Sequence, residues 1–131
     1  MRSRVLYISG HPEDARDLTR MLFDLPVALH YVKSLRQARR KLQQHHYSVV
    51  LTDSVLPDGT WLDALHLAQQ GTQAIQVIVT DPQADARFWA EALNLGAYDL
   101  LTQPFYRPEV RRILSNACSR MPIQETSMAA V

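Results

Sequence analysis

The stretch Tyr47-Ser-Val-Val-Leu-Thr-Asp53-Ser-Val-Leu-Pro-Asp-Gly59 constrains the fold of this chain more than any other. Ser48 to Thr52 is a short apolar, β-branched run that stops at a carboxylate, and the turn signal Pro57-Asp58-Gly59 follows. That order reads as a buried strand delivering Asp53 to the edge of a sheet. In open parallel sheets, ligands and chemistry gather at the carboxyl ends of the strands. The plainer alternative is that Asp53 caps the strand and hydrogen-bonds its own loop.

Four further runs have the same character. Val5 to Ile8 closes at Ser9-Gly10-His11-Pro12, Val27 to Val32 alternates weakly, Ile75 to Thr80 ends at Asp81-Pro82, and Ala97 to Thr102 ends at Gln103-Pro104-Phe105. Between and after them lie helical periods. Glu13 to Phe23 carries Ala15, Leu18 and Leu22, and Ser34 is an N-cap ahead of Leu35, Ala38 and Leu42. Trp61 to Gln70 has Leu62, Leu65 and Ala68 in register with Gly71 as its stop. Ala84 to Leu95 has Ala86, Ala90 and Leu93 on one face and closes at Gly96, and Pro108 suits the first turn of a last helix carrying Val110, Ile113, Leu114 and Ala117. Five strands alternating with five helices predict a three-layer, doubly wound, five-stranded parallel sheet. With right-handed crossovers the expected order is 2-1-3-4-5. It would bring Ser9, Gly10, Asp53, Thr80, Asp81 and Gln103 around one crevice.

A chain of 131 residues, 47% hydrophobic and 21% charged, suits one domain with its own core, and after Met121-Pro122 the composition becomes that of a flexible tail. The net charge of +1 implies no large field, so no nucleic-acid partner is expected; the basic face Arg36, Arg39, Arg40 and Lys41 reads as solvated. One cysteine, Cys118, and no apolar run long enough for a membrane span or signal segment lead to the expectation of a cytoplasmic protein.

Two segments then resemble the receiver domain of two-component response regulators. One is Val49-Val50-Leu51-Thr52-Asp53 followed by Leu56-Pro57-Asp58-Gly59; the other is Leu95-Gly96-Ala97-Tyr98-Asp99-Leu100-Leu101-Thr102 followed by Gln103-Pro104-Phe105. The similarity runs from Arg4 to about Arg120, so a receiver-like domain is expected over 1–120 and a tail over 121–131, with the flavodoxin-like sheet of that family. The resemblance implies a signalling module rather than an enzyme, with Asp53 as acceptor of a phosphoryl group from a histidine kinase.

Other positions of the resemblance depart from the family. Its two acidic magnesium-holding residues fall on Ser9 and Gly10, and its hydroxyl residue falls on Asp81 with Thr80 one place earlier. Its lysine falls on Gln103 and its aromatic switch residue on Leu100. Mg²⁺ wants oxygen ligands in near-octahedral geometry, and Asp53 with a backbone carbonyl such as that of Val55 would offer one protein charge. Phosphoryl transfer depends on positioning and charge stabilisation by metal and cations. An Asp81 carboxylate in the crevice would add a second anion beside Asp53. The expectation is an atypical receiver, phosphorylated weakly or not at all and acting through protein contacts. It would hold no cofactor, Mg²⁺ entering only under the second reading, a working phosphoacceptor. A third reading is a flavodoxin-like small-ligand binder.

Ser9, His11 and Asp53 could be set out as nucleophile, base and orienter, but no oxyanion loop accompanies them. His45-His46 lack a companion ligand set, and His11, His30 and His66 show no ligand spacing. Phe88 and Trp89 cannot both pack inward from one helix. Either Trp89 flanks the core while Phe88 covers a neighbouring helix, or one of them is an exposed anchor on the helix 4–strand 5–helix 5 surface for a homodimer or other protein partner.

Overall fold

The five long strands pair in parallel in the order β2-β1-β3-β6-β7, as a computed structural model describes for residues 2–119. They are β1 (Ser3–Ile8), β2 (Val27–Val32), β3 (Val49–Asp53), β6 (Gln76–Asp81) and β7 (Asp99–Thr102). This is the expected order, counted over the long strands. The intervening helices are α1 (Pro12–Met21), α2 (Leu35–Gln44), α3 (Trp61–Gln69), α4 (Ala86–Asn94) and α5 (Arg107–Ser119). The expected tail, 121–131, lies outside the described residues.

Strand alternation splits the core in two. Leu6, Ile8, Val50, Val77, Val79 and Leu100 face α2, α3 and α4. Val5, Tyr7, Val49, Leu51, Ile78 and Leu101 face α1 and α5, packed against Leu18, Val110 and Leu114. Both layers close tightly: Leu6 and Val79 in the first, and Leu18 and Leu114 in the second, have no exposed surface. Each such side chain contributes about 1.5–3 kcal/mol by leaving water. Because β3 is central and covered on both faces, its whole length is buried and reads as a continuous apolar run.

A second, two-stranded ladder was not legible in the sequence. Val55–Leu56 (β4) and Gly59–Thr60 (β5) pair antiparallel around Pro57-Asp58. The turn has a distant purpose: the Asp58 carboxylate accepts the backbone N–H groups of Leu35 (2.9 Å) and Arg36 (3.2 Å) at the start of α2. An anion on two orphan N–H groups at the positive end of a helix is favourable. Ser34 also caps α2 as expected, its Oγ accepting from the Gln37 N–H at 3.2 Å. A Cβ at Gly59 would stand 2.5 Å from both Leu35 Cδ1 and Asp63 Oδ2, so these two side chains would have to shift to admit one.

Three expectations from periodicity need correction. The buried face of α3 is Trp61, Ala64, Leu65 and Ala68, whereas Leu62 is exposed. Gly71 does not take the left-handed conformation expected of a stop, and among the described residues Gly96, at φ +115°, is the glycine that does. On α4 the sides are exchanged: Ala86 and Ala90 are exposed, and Ala92 and Phe88 turn to the core. The helix begins two residues later than expected because Asp85 caps it, its carboxylate accepting the Phe88 N–H at 2.8 Å.

Candidate functional site

β1 and β3 set the site by register. Tyr7 pairs with Leu51 and Ile8 with Thr52, so the next residues, Ser9 and Asp53, meet at the carboxyl edge of the sheet. Asp53 is 5% exposed, and both its oxygens are occupied. The Ser9 hydroxyl donates to Oδ2 at 2.6 Å, and the Tyr7 hydroxyl, reaching up the same face, donates to Oδ1 at 2.8 Å. His11 Nδ1 lies 3.3 Å from Oδ2, while the His11 backbone N–H donates to Ser9 Oγ at 2.9 Å. Tyr31, on β2, donates its hydroxyl to the Ser9 carbonyl at 2.7 Å.

A buried carboxylate is costly unless hydrogen-bonded, and here neutral hydroxyls supply the bonds. The charge acts back on its neighbours. Burial first, and then the negative charge of Asp53, push the Tyr7 hydroxyl far above the usual phenol range. The Asp14 carboxyl, in the first turn of α1, is raised by partial burial and then by Asp53. Donor atoms of His11, Asp14 and Asp53 all lie within 4.8 Å of one another.

Across the other edge of β3, Asp53 pairs in register with Thr80. Thr80 is fully buried, and among the described residues its hydroxyl is a buried side-chain atom with no hydrogen-bond partner. Asp81, one residue on, leaves the strand on the opposite face. Its carboxylate is bound by the Ser54 hydroxyl and by the Gln83 N–H. The expected second anion beside Asp53 is therefore Asp14 rather than Asp81. Gln103 lines a cavity of about 310 Å³ together with Asp14, Asp17, Pro82, Pro104 and Phe105. Leu100 is buried in the α3–α4 layer, Gly10 sits in an exposed turn, and Val55 points its side chain outward from the β4–β5 ladder.

The fold brings Ser9, His11 and Asp53 together, but not as a relay. The serine hydroxyl donates straight to the carboxylate, and the imidazole touches that carboxylate rather than the hydroxyl. The reading of His11 as lacking ligand spacing fails, because the start of α1 folds it back onto Asp53. His30 on β2 forms a separate ring cluster with His45 and Tyr47. Phe88 packs on Trp61 with ring centres 5.9 Å apart, and Trp89 stays 48% exposed with its indole N–H 3.2 Å from Asp99 Oδ1 on the edge strand β7. Phe88 thus covers a neighbouring helix, as one reading expected, while Trp89 is exposed rather than flanking the core.

A model of the response regulator receiver domain matches residues 5–115. The chain belongs to that family. Among curated relatives, this receiver is 26% identical to the response regulator protein PilR of Pseudomonas aeruginosa over 88% of its own length and 26% of PilR's. The curated relatives it matches are longer proteins, of which it spans between 26% and 48%. Its fold is similar to the receiver domain of the sensor histidine kinase PA1611 of Pseudomonas aeruginosa, which carries a magnesium ion in its active-site cleft. That pair has a TM-score of 0.76 and 24% identity, covering 92% of this chain and 100% of the other. It is also similar to the beryllofluoride-activated NtrC4 receiver domain dimer, with a TM-score of 0.80 and 23% identity over 88% and 95% of the two chains. Among the described residues, no helix is long and apolar enough to cross a membrane.

Receiver domains are signalling modules that hold Mg²⁺ in an acidic pocket and work with histidine kinases and effectors. The donors grouped in this receiver are two carboxylates and an imidazole. The Asp14 and Asp53 carboxylates are the oxygen donors that would hold Mg²⁺, with waters completing its shell, while the His11 nitrogen is not a donor Mg²⁺ favours.

Proposed function

We propose that this chain is an atypical receiver in which Asp53, the acceptor position, is a held structural carboxylate, phosphorylated weakly or not at all through the Mg²⁺ route. The observation that carries the reading is the double occupation of Asp53: each oxygen takes a buried hydroxyl proton, and 5% of the residue is exposed. Each hydrogen bond draws electron density from the oxygen that accepts it and so lowers its nucleophilicity, and in-line attack on a phosphodonor also needs positive charge around the incoming group. Gln103 offers an amide in place of a cation, and Asp14 adds negative charge nearby. Leu100, aliphatic and buried, lacks the polar tip with which an aromatic switch residue could change partners. Intact-mass spectrometry after incubation with acetyl phosphate and Mg²⁺ tests the reading. The expected result is little or no mass gain; full addition of one phosphoryl group, abolished in Asp53→Asn, would favour the working acceptor.

Output through protein contact rests on the α4–β7–α5 face. Trp89 is an exposed aromatic held in place by Asp99, and Leu95 at the end of α4 and Tyr106 just before α5 are also exposed. Held aromatics of this kind make strong contact anchors. Homodimerisation through this face is the specific expectation. Trp89→Ala should weaken self-association in sedimentation equilibrium by at least about tenfold. A chain that is monomeric well above micromolar concentration, or a variant that associates equally well, would remove the dimer from the account.

A further inference from the structure

We propose that the groove between α2 and α3 is a docking site for a partner protein, and that its occupant is an acidic amphipathic helix. The proposal goes beyond the α4–β7–α5 contact above and does not rest on it. In the fold α2 packs on β1 and β2, α3 on β3 and β6, and α4 on β7, so α3 stands between the two surfaces.

Shape is the first argument. Two open clefts of about 630 and about 490 Å³ lie along this pair of helices and run into one another, both being lined by Arg39, Leu67 and Gln70. The result is an elongated groove rather than a closed chamber for a small ligand. Leu35, Leu42, Leu67 and Ile75 form its floor; each is half-buried, packed on the core beneath and open on its outer side. Leu35 and Leu42 are two turns apart on α2, about 10 Å along its axis. A partner helix with apolar side chains at i, i+3, i+4 and i+7 fits such a floor.

Charge is the second argument, and it selects the partner. α2 carries Arg36, Arg39, Arg40 and Lys41 and no acid, while the rest of the chain sets ten basic residues against thirteen acidic ones. Arg36 stands three and four residues before Arg39 and Arg40, so these cations repel, and Arg36 also lies near the positive end of the helix. Among the described residues none of the four is in an ion pair. The two acids at the groove are engaged elsewhere: Asp58 accepts the Leu35 and Arg36 N–H groups, and Asp63 accepts the Thr60 N–H. An apolar floor bordered by the unpaired Arg36 and Arg39 suits leucine-like anchors flanked by glutamate or aspartate. Nucleic acid suits it less, since a phosphate backbone would leave the floor in water and meet Asp58 and Asp63 at one end.

The test uses the full chain and the fluorescence anisotropy of labelled synthetic peptides about four helical turns long. One peptide carries leucines at i, i+3, i+4 and i+7 with glutamates on its flanks. A second has lysine for every glutamate, and a third has serine for every leucine. The first should bind with a Kd on the order of 10 µM, and the other two at least about tenfold more weakly. Arg39→Glu should weaken the first peptide by at least about tenfold and bind the lysine peptide more tightly than the unchanged chain does; Arg36→Glu repeats the test at a second position. Arg16→Glu, an equal change of charge on α1 across the sheet, should leave the affinity within about twofold. All three side chains are exposed, and circular dichroism should report the variants folded. No binding up to about 1 mM, equal binding of the serine peptide, or an equal loss in Arg16→Glu would overturn the proposal. So would a DNA duplex of about two turns bound as tightly as the first peptide and with the same dependence on Arg39.

Discussion

Asp53→Ala is expected to destabilise the fold by about 2–4 kcal/mol, measured as the loss in urea-unfolding free energy at constant slope. The substitution strips the acceptor from two hydroxyls, those of Tyr7 and Ser9, neither of which has any exposed surface with which to find water. A buried donor left without a partner costs about 1–3 kcal/mol. Releasing a buried charge offsets part of this, which is why the expected figure lies below the sum of two full penalties. Asp53→Asn should cost less, since the amide oxygen can still accept from Tyr7 and the rotating Ser9 hydroxyl can accept from the amide nitrogen. The partner variant isolates the pair: in Asp53→Ala/Tyr7→Phe, about 1 kcal/mol of the loss should return as coupling. A cost below about 1 kcal/mol for Asp53→Ala would mean the pocket is organised by something other than this carboxylate.

Much of this architecture was legible because it is local. The five apolar runs and their order follow from period and chain direction, and Asp53 at the end of the middle strand follows from where the β-branched run stops. The partners of Asp53 were less legible. Tyr7 sits in a run that reads as core, and nothing in Val5 to Ile8 says that one of its side chains ends in a hydroxyl aimed at a residue 46 positions away. Only the β1–β3 register supplies that. Register also decides that Thr80, not Asp81, faces Asp53, because a one-residue step moves a side chain to the other face. Asp14 escaped notice because an acid in a first helical turn has a sufficient local explanation in the helix dipole. Phe88 turns onto α3 and Trp89 outward because the cap at Asp85, rather than the apolar count, sets the phase of α4. Asp58 reads as a turn residue until the fold lays the start of α2 beside it.

The same register makes the pocket sensitive to alkali, with a sign that can be worked out. Tyr7 is held protonated in the folded chain well above the ordinary phenol range, by burial and then by the charge of Asp53. Unfolded, the phenol loses its proton near pH 10. A group whose folded pKa is raised contributes stability that is complete below the unfolded value and is lost as pH rises beyond it. Above about pH 10 the folding free energy should therefore fall by roughly 1.4 kcal/mol per pH unit for this group alone. Tyr31 and Tyr47, raised chiefly by burial, steepen the fall. A tyrosinate absorbance titration of the native chain should show fewer than its five tyrosines ionising, the rest appearing together with unfolding. Tyr7→Phe should remove one group's share of the alkaline slope while leaving the Tyr31 and Tyr47 share in place. If the slope is unchanged in Tyr7→Phe, the hydroxyl on Asp53 Oδ1 is not the one that resists ionisation.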